Sequence, residues 1–182
     1  MQSENISEAE WKNLNSINDA ASRLSKLNQS LLLLSKIENG QFKQSEPVNL
    51  TVALERHLDN LNELISAKGI TLHKQIEPEV MVFIHPYLLD ILLSNVLMNA
   101  IRHNTEQGVI NIILKKGLLS IQNSGAELNI DPKALFSRFK KGNSDSDSIG
   151  IGLSLVQKIA ESSAMEVKYT YQDRMHTIEF RF

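Results

Sequence analysis

The segment LLSNVLMNAIRHN, residues 92–104, sets two asparagines four positions apart in an aliphatic run and closes on Arg-His-Asn. At about 100° per residue in a helix, Asn95, Asn99, Arg102 and His103 share an arc of about 100°. Leu93, Val96, Leu97, Ala100 and Ile101 fall on the opposite side. The pattern predicts an amphipathic helix over about 86–104 with an amide-rich polar stripe. Leu88, Ile91 and Leu92 continue that stripe as apolar residues, so it need not face bulk water. A half-buried Asn amide that finds no partner costs about 1–3 kcal/mol. Two in succession point to a polar partner at that face. A solvent-facing edge that happens to use Asn is the alternative, and this helix alone leaves both open.

A second stretch, SDSDSIGIGLSLV at 144–156, places Gly150 and Gly152 where a helix is predicted to open. Free N–H groups and a partial positive charge at a helix N-terminus suit phosphate, and glycine lets oxygens approach the backbone. A tight turn with close helix packing explains the same glycines. Just upstream, FSRFKK supplies Arg138, Lys140 and Lys141, followed by a Ser/Asp/Gly run without an apolar residue. A cationic loop feeding a glycine-rich helix start has the makings of a lid over polyphosphate. Between the two stretches, SIQNSGAEL ends a predicted strand on Asn123, Ser124 and Gly125. That puts an amide carbonyl and a close backbone approach at a strand end, although turn chemistry accounts for Asn-Ser-Gly as well.

The elements that must position these residues follow from periodicity. Ser7 and Glu10 form a capping box. Ile17, Ala20, Leu24, Leu27, Leu31 and Leu34 then recur at alternating spacings of three and four, a heptad seam. Gly40 offers a left-handed cap, so a helix over about 7–38 would be ~48 Å long. Such a rod wants a partner helix, the alternative being a helix folded on its own domain. A connecting strand or linker around Pro47, a helix over about 51–68, strands at 70–76 and 80–85 and two strands joined by Lys-Lys-Gly follow. A short helix capped by Asp131 occupies 131–139, and the chain closes on a hairpin. Interleaved strands and helices predict a two-layer α/β sandwich in an α+β chain, preceded by the long helix.

Composition narrows the chemistry. Nineteen basic residues, 21 acidic residues and a net charge of −2, with no basic block, argue against nucleic acid as a partner. The chain has no cysteine, which excludes disulfides, thiolate catalysis and zinc–cysteine sites. Its five histidines show no metalloprotease-type spacing. No apolar run approaches the ~20 residues of a membrane span, so no direct membrane contact is expected of this chain. The N-terminus MQSENISEAE lacks the features of a signal peptide.

Taken in order, NVLMNAIRH, Asn-Ser-Gly after a strand, FSRF and GIGLSLV resemble the four boxes of a sensor histidine kinase's ATP-binding domain. RLSKLNQSLLLLSKIENGQF resembles the second helix of that family's dimerisation bundle. The resemblance implies the fold shared with gyrase and the heat-shock ATPase chaperones, a mixed, mostly antiparallel sheet covered on one face by helices. It divides the chain into a helical stem, 1–40, and an ATP-binding catalytic domain, 41–182. It implies ATP and Mg²⁺ as cofactors, with Asn99 as the metal ligand and Asn95 near phosphate or metal-bound water. Arg102 and His103 match positions beside the phosphates and base. Asn123 stands where the family has the Asp that binds the adenine amino group, and it keeps the carbonyl acceptor without the charge. Gly125 matches the first glycine box, whose second glycine is Glu127 here. Gly150, Gly152 and Leu153 match the second glycine box, whose leading glycine is Ser148. Phe136 and Phe139 match the lid-anchoring phenylalanine box, with Arg138, Lys140 and Lys141 on the lid. Thr177, in the last strand, is placed near adenine through water.

The family's acceptor is a His followed by an acidic residue, and none of His57, His73, His85, His103 and His176 has that setting. The expectation is a chain with no catalytic phosphoacceptor of its own, unable to phosphorylate itself. The implied parent is a homodimer joined through the stem, cytoplasmic in these parts, with any membrane anchor upstream and a response regulator's receiver domain as partner. Two alternatives remain from the sequence: an anti-sigma-factor-type serine kinase, and a dimerising scaffold with a decayed nucleotide pocket.

Overall fold

The computed structural model describes residues 8–42, 44–138 and 150–182. Ser7, and with it the capping box, lies outside them. The first helix, α1, runs Glu8–Glu38 and ends at Gly40, which takes the left-handed φ of 64°. A two-stranded ribbon follows, built from β1 (Glu46–Asn49) and β3 (Met81–Ile84) in antiparallel register. Between these strands lie α2 (Leu50–Ala67) and β2 (Thr71–Ile76). Asn49 caps α2, its side-chain oxygen accepting the Val52 N–H at 3.1 Å. The amide-rich helix, α3, spans Pro86–Arg102, with Pro86 in its first turn and His85 as N-cap.

Strands β4 (Val109–Lys115) and β5 (Leu118–Ser124) form a hairpin whose turn needs Gly117 at φ 79°. The short helix expected over 131–139 is a 3₁₀ helix, Pro132–Phe136, capped by Asp131 through the Lys133 N–H. Helix α4 spans Gly152–Ser162. Strands β6 (Glu166–Gln172) and β7 (Met175–Arg181) close the chain. Their turn places both Asp173 and Arg174 at positive φ, the twist-matched hairpin turn.

The five-stranded sheet has the order β2-β4-β5-β7-β6. The β2–β4 pair is parallel and the other three are antiparallel. This is the expected α+β fold with a mixed, mostly antiparallel sheet. The strands alternate as a one-sided sheet must. Ile110, Ile112, Leu114, Leu119, Ile121, Ile178 and Phe180 point into one buried core with the helices. The opposite face carries a polar row in register, His73, Asn111, Gln122, Thr177 and Thr170. Within it Asn111 donates to Gln122, and Gln122 donates to Thr177.

The α1 seam changes surroundings along its length. Ile17 and Leu24 are 65% and 66% exposed, whereas Leu34 is 2% exposed and sits in the domain core beside Leu33 and Ile37. The last turns of α1 pack against α4.

Thr51 ties the first layer together. Its hydroxyl donates to the Glu77 carbonyl at 2.8 Å and accepts the Val80 N–H at 3.2 Å. Thr51→Val keeps the shape, strands the buried Val80 N–H and removes the donor to the Glu77 carbonyl, so the urea midpoint should fall by the equivalent of about 1–3 kcal/mol. An unchanged midpoint would mean that the Glu77–Val80 turn holds itself.

Candidate functional site

The aliphatic face of α3 decides where its asparagines point. Leu92, Leu93, Val96, Leu97, Ala100 and Ile101 are each at most 3% exposed. With that face fixed on the core, Asn95 and Asn99 lie half-buried on the adjoining stripe. Asn95 Nδ2 donates to the Ile91 carbonyl of its own helix at 2.8 Å. Its Oδ1 is thereby turned toward α4, where a Cβ placed on Gly152 would stand only 2.9 Å away. Gly152 is therefore required by the close approach of α3 to the first residue of α4.

That helix start has no side-chain cap. Ile151 is the N-cap residue, and among the described residues no side-chain cap bond is made there. The Ser154 hydroxyl turns back to the Ile151 carbonyl. Gly150 precedes it at φ 75°, a left-handed turn that glycine takes without strain. Leu153 packs against the core. Among the described residues the α4 N–H groups thus stand without a side-chain acceptor, and a helix N-terminus in that state suits an anion. The Asn99 side chain makes no hydrogen bond among the described residues.

The other end of the site is built by β5 and β7. Asn123 is 8% exposed and pairs in register with His176, also 8% exposed. Asn123 Nδ2 donates to the Ser124 carbonyl at 2.8 Å, which leaves Oδ1 as the acceptor. A Cβ on Gly125 would lie 2.5 and 2.6 Å from two atoms of the His176 ring and 2.9 Å from the His103 carbonyl oxygen. Gly125 thus joins the end of α3 to β7. Ser124 adds a polar knot: its hydroxyl donates to Asn104 Oδ1 and accepts the Val109 N–H at 2.9 Å. Lys68, at the end of α2, donates to the Ile101 carbonyl at 3.1 Å and completes the C-terminus of α3.

Several expected site residues stand elsewhere. Thr177 is a correction. Side chains alternate along a strand, so Thr177 faces the open side of the sheet, bonded by Gln122 at 3.1 Å, away from Asn123. The β7 residue beside Asn123 is His176, which sequence reasoning passed over and a one-residue shift in the strand's phase would have found. Arg138 is held by Glu38 of α1, guanidinium to carboxylate at 2.6 Å, with both side chains near half-exposed. Arg102 is exposed in the last turn of α3. Phe136 packs edge-on against Tyr169, ring centres 6.4 Å apart. Phe139, Lys140, Lys141 and Ser148 lie outside the described residues.

Residues 85–182 match the family described as histidine kinase-, DNA gyrase B-, and HSP90-like ATPase. The chain belongs to this family. The chain is 30% identical over 164 residues to the sensor histidine kinase HprS of Escherichia coli, a match covering 83% of this chain and 34% of that protein. The chain spans about a third of the length of the curated relatives it matches. Among solved structures, Acinetobacter baumannii histidine kinase AdeS superposes with a TM-score of 0.73 at 20% identity, over 97% of this chain and 84% of that one. The catalytic domain of histidine kinase ThkA does so with 0.65 at 21% identity, over 75% and 93%. The two structures share the fold.

Among the described residues of the ATPase domain, no cluster of three His, Cys, Asp or Glu side chains could hold a metal. No described helix is long and apolar enough to cross a membrane.

Two histidines at the base of the site titrate low. Burial, then Arg102, His176 and Lys68, hold His103 below 6.5. Burial also lowers His176, with the Ala126 carbonyl opposing it. As pH falls below 6.5 the unfolded chain therefore takes up more protons than the folded one. The stability that comes from keeping both rings neutral is present above that pH and is lost as pH falls toward the lowered values. Urea midpoints should be level from about pH 8 to 7 and decline on further acidification. The decline between about pH 6.5 and 5 should be shallower in a His103→Gln, His176→Gln double variant. Equal slopes in both chains would assign the acid loss to other groups.

Proposed function

We propose that this chain is the ATP- and Mg²⁺-binding catalytic part of a two-component sensor histidine kinase. The observation that carries the proposal is the uncapped start of α4 at Gly152, pressed against the Asn95 and Asn99 stripe of α3. The N–H groups of α4 would receive the phosphates, and the Asn95 oxygen, turned toward them, would accept from metal-bound water. Asn99 would ligate Mg²⁺. A single neutral amide oxygen holds this ion only together with phosphate oxygens and water, magnesium's usual company, and no acidic cage is required. Asn123 Oδ1 would accept the exocyclic amino group of adenine. Phosphoryl transfer needs positioning and charge neutralisation more than a protein nucleophile. The γ-phosphoryl would pass to a histidine outside the given sequence, because none of the five present has the acceptor's setting, and then to an Asp of a response regulator.

A scaffold reading with a decayed pocket is favoured by three departures from the family pattern, Asn123, Ser148 and the exposed Glu127 in place of a glycine. Calorimetric titration with a non-hydrolysable ATP analogue decides between the two. Binding should require Mg²⁺ and weaken at least about tenfold in Asn99→Ala, a loss of about 1.4 kcal/mol. No binding to the parent chain would sink the kinase reading in favour of the scaffold.

Ile17 and Leu24 of the heptad seam are exposed on the outer half of α1. Within the same proposal they form the seam through which two copies pair. Sedimentation at increasing concentration should show association that Ile17→Asp with Leu24→Asp abolishes, at unchanged ATP-analogue affinity. A strict monomer with α1 still helical would refute the seam.

A further inference from the structure

His176 is the one buried, hydrogen-bonded imidazole at the site, and the arrangement around it is specific. The Ala126 carbonyl can only accept, so the 2.8 Å contact with His176 Nε2 places the ring proton on Nε2. In the neutral ring Nδ1 is then an acceptor, and it lies 3.0 Å from the Tyr169 hydroxyl, which donates to it. Burial raises the Tyr169 pKa and so keeps this donor protonated. The Tyr171 ring lies 4.7 Å from the imidazole, and Phe136 covers the edge of Tyr169. From the other side the Gly125 N–H donates to the Arg174 carbonyl at 3.0 Å. Two bonds, Gly125 to Arg174 and His176 to Ala126, therefore clamp the 125–126 turn to the β6–β7 hairpin.

The consequence reaches Asn123. Its amide N–H₂ is bound to the Ser124 carbonyl, the peptide that leads directly into the clamped turn. Fixing Gly125 and Ala126 fixes that carbonyl, and that carbonyl decides which end of the Asn123 amide remains to accept. We infer that His176 is a positioning residue for base recognition, locking the turn that aims the Asn123 acceptor oxygen at a 6-amino purine. The inference rests on the nucleotide-binding reading above. An aspartate would need no such lock, because both of its oxygens accept. An asparagine can present its N–H₂ instead, and would then favour a 6-oxo base. With both ring nitrogens engaged, His176 offers no nitrogen to a phosphoryl group.

The test uses the full chain and four proteins: parent, His176→Phe, His176→Gln and Tyr169→Phe. Each is titrated with the imido analogues of ATP and of ITP, its 6-oxo counterpart, and with inorganic tripolyphosphate. The parent should prefer the 6-amino nucleotide. His176→Phe should weaken that nucleotide about tenfold and bring the two bases within about twofold, tripolyphosphate binding being unchanged. His176→Gln, whose amide can still donate to Ala126, should restore most of the preference, and Tyr169→Phe should lose part of it. Nitrogen NMR of the parent should show the Nε2–H tautomer. If His176→Phe does not fold, the Tyr169→Phe and His176→Gln pair carries the test, and parent-like ratios in both overturn the inference. A parent ratio already near one overturns it too, as does an unchanged ratio in a folded His176→Phe. A parent that binds neither nucleotide instead overturns the functional reading beneath it.

Discussion

The burial of one face of α3 is the constraint on which the site depends. Leu92, Leu93, Val96, Leu97, Ala100 and Ile101 are sealed against the sheet and α4. At about 1.5–3 kcal/mol for each large aliphatic side chain buried, a rotation of the helix that exposed this face would cost more than most domains' net stability. The direction of the asparagine stripe is therefore not free. It follows from the aliphatic side, and the amides are held by groups that take no part in ligand chemistry. The Lys68 bonds at one end and the His85 cap at the other fix the helix along its axis.

Glycine performs two different tasks around that helix. Gly152 has an ordinary helical role and matters for space alone, since a Cβ there would stand 2.9 Å from Asn95 Oδ1 and push that amide aside. Gly125 is demanded by the His176 ring and the His103 carbonyl together. Both glycines convert side-chain volume into backbone proximity. At α4 the backbone brought near is a row of donors, which suits anions. At β5 it is a turn whose carbonyls orient an amide and an imidazole. The two parts of the candidate site thus differ in polarity because different backbone groups were brought to each.

How much of this was legible in the sequence depended on the range of the interaction. Helix α3, both terminal strands and the α4 start are announced by local periodicity and by residues within one turn of each other, and the sequence places them closely. The 3₁₀ helix at Pro132–Phe136 was legible as a capped turn but not in its tighter winding, which depends on packing of Leu135 and Phe136 under α4 and β6. Thr177 was misplaced because a hydroxyl in a strand carries no sign of which face it occupies. The alternation Ile178, Phe180 beside His176 does carry that sign, since apolar residues mark the inner face. Glu38 and Arg138 are 100 positions apart, and no local pattern connects them. The β1–β3 ribbon was equally invisible as a separate sheet, because pairing partners are chosen by the folded core.

Helix α1 shows why a heptad pattern names a covered face but not its cover. The same spacing runs from Ile17 to Leu34, yet one end meets solvent and the other the domain core. Leu33, Leu34 and Ile37 are packed with Ile159 and Val156 in one continuous cluster. The stem is thus not a rod attached to a finished domain. Its last turns complete the wall behind α4, the helix whose first residue faces Asn95. The exposed Glu38–Arg138 pair adds little stability, since half-exposed ion pairs contribute at most about 1 kcal/mol. Its effect is geometric: it joins the end of α1 to the chain leaving Phe136, which in turn covers Tyr169. Helix α1 therefore touches α4 through the aliphatic cluster and the chain leaving the 3₁₀ helix through that ion pair.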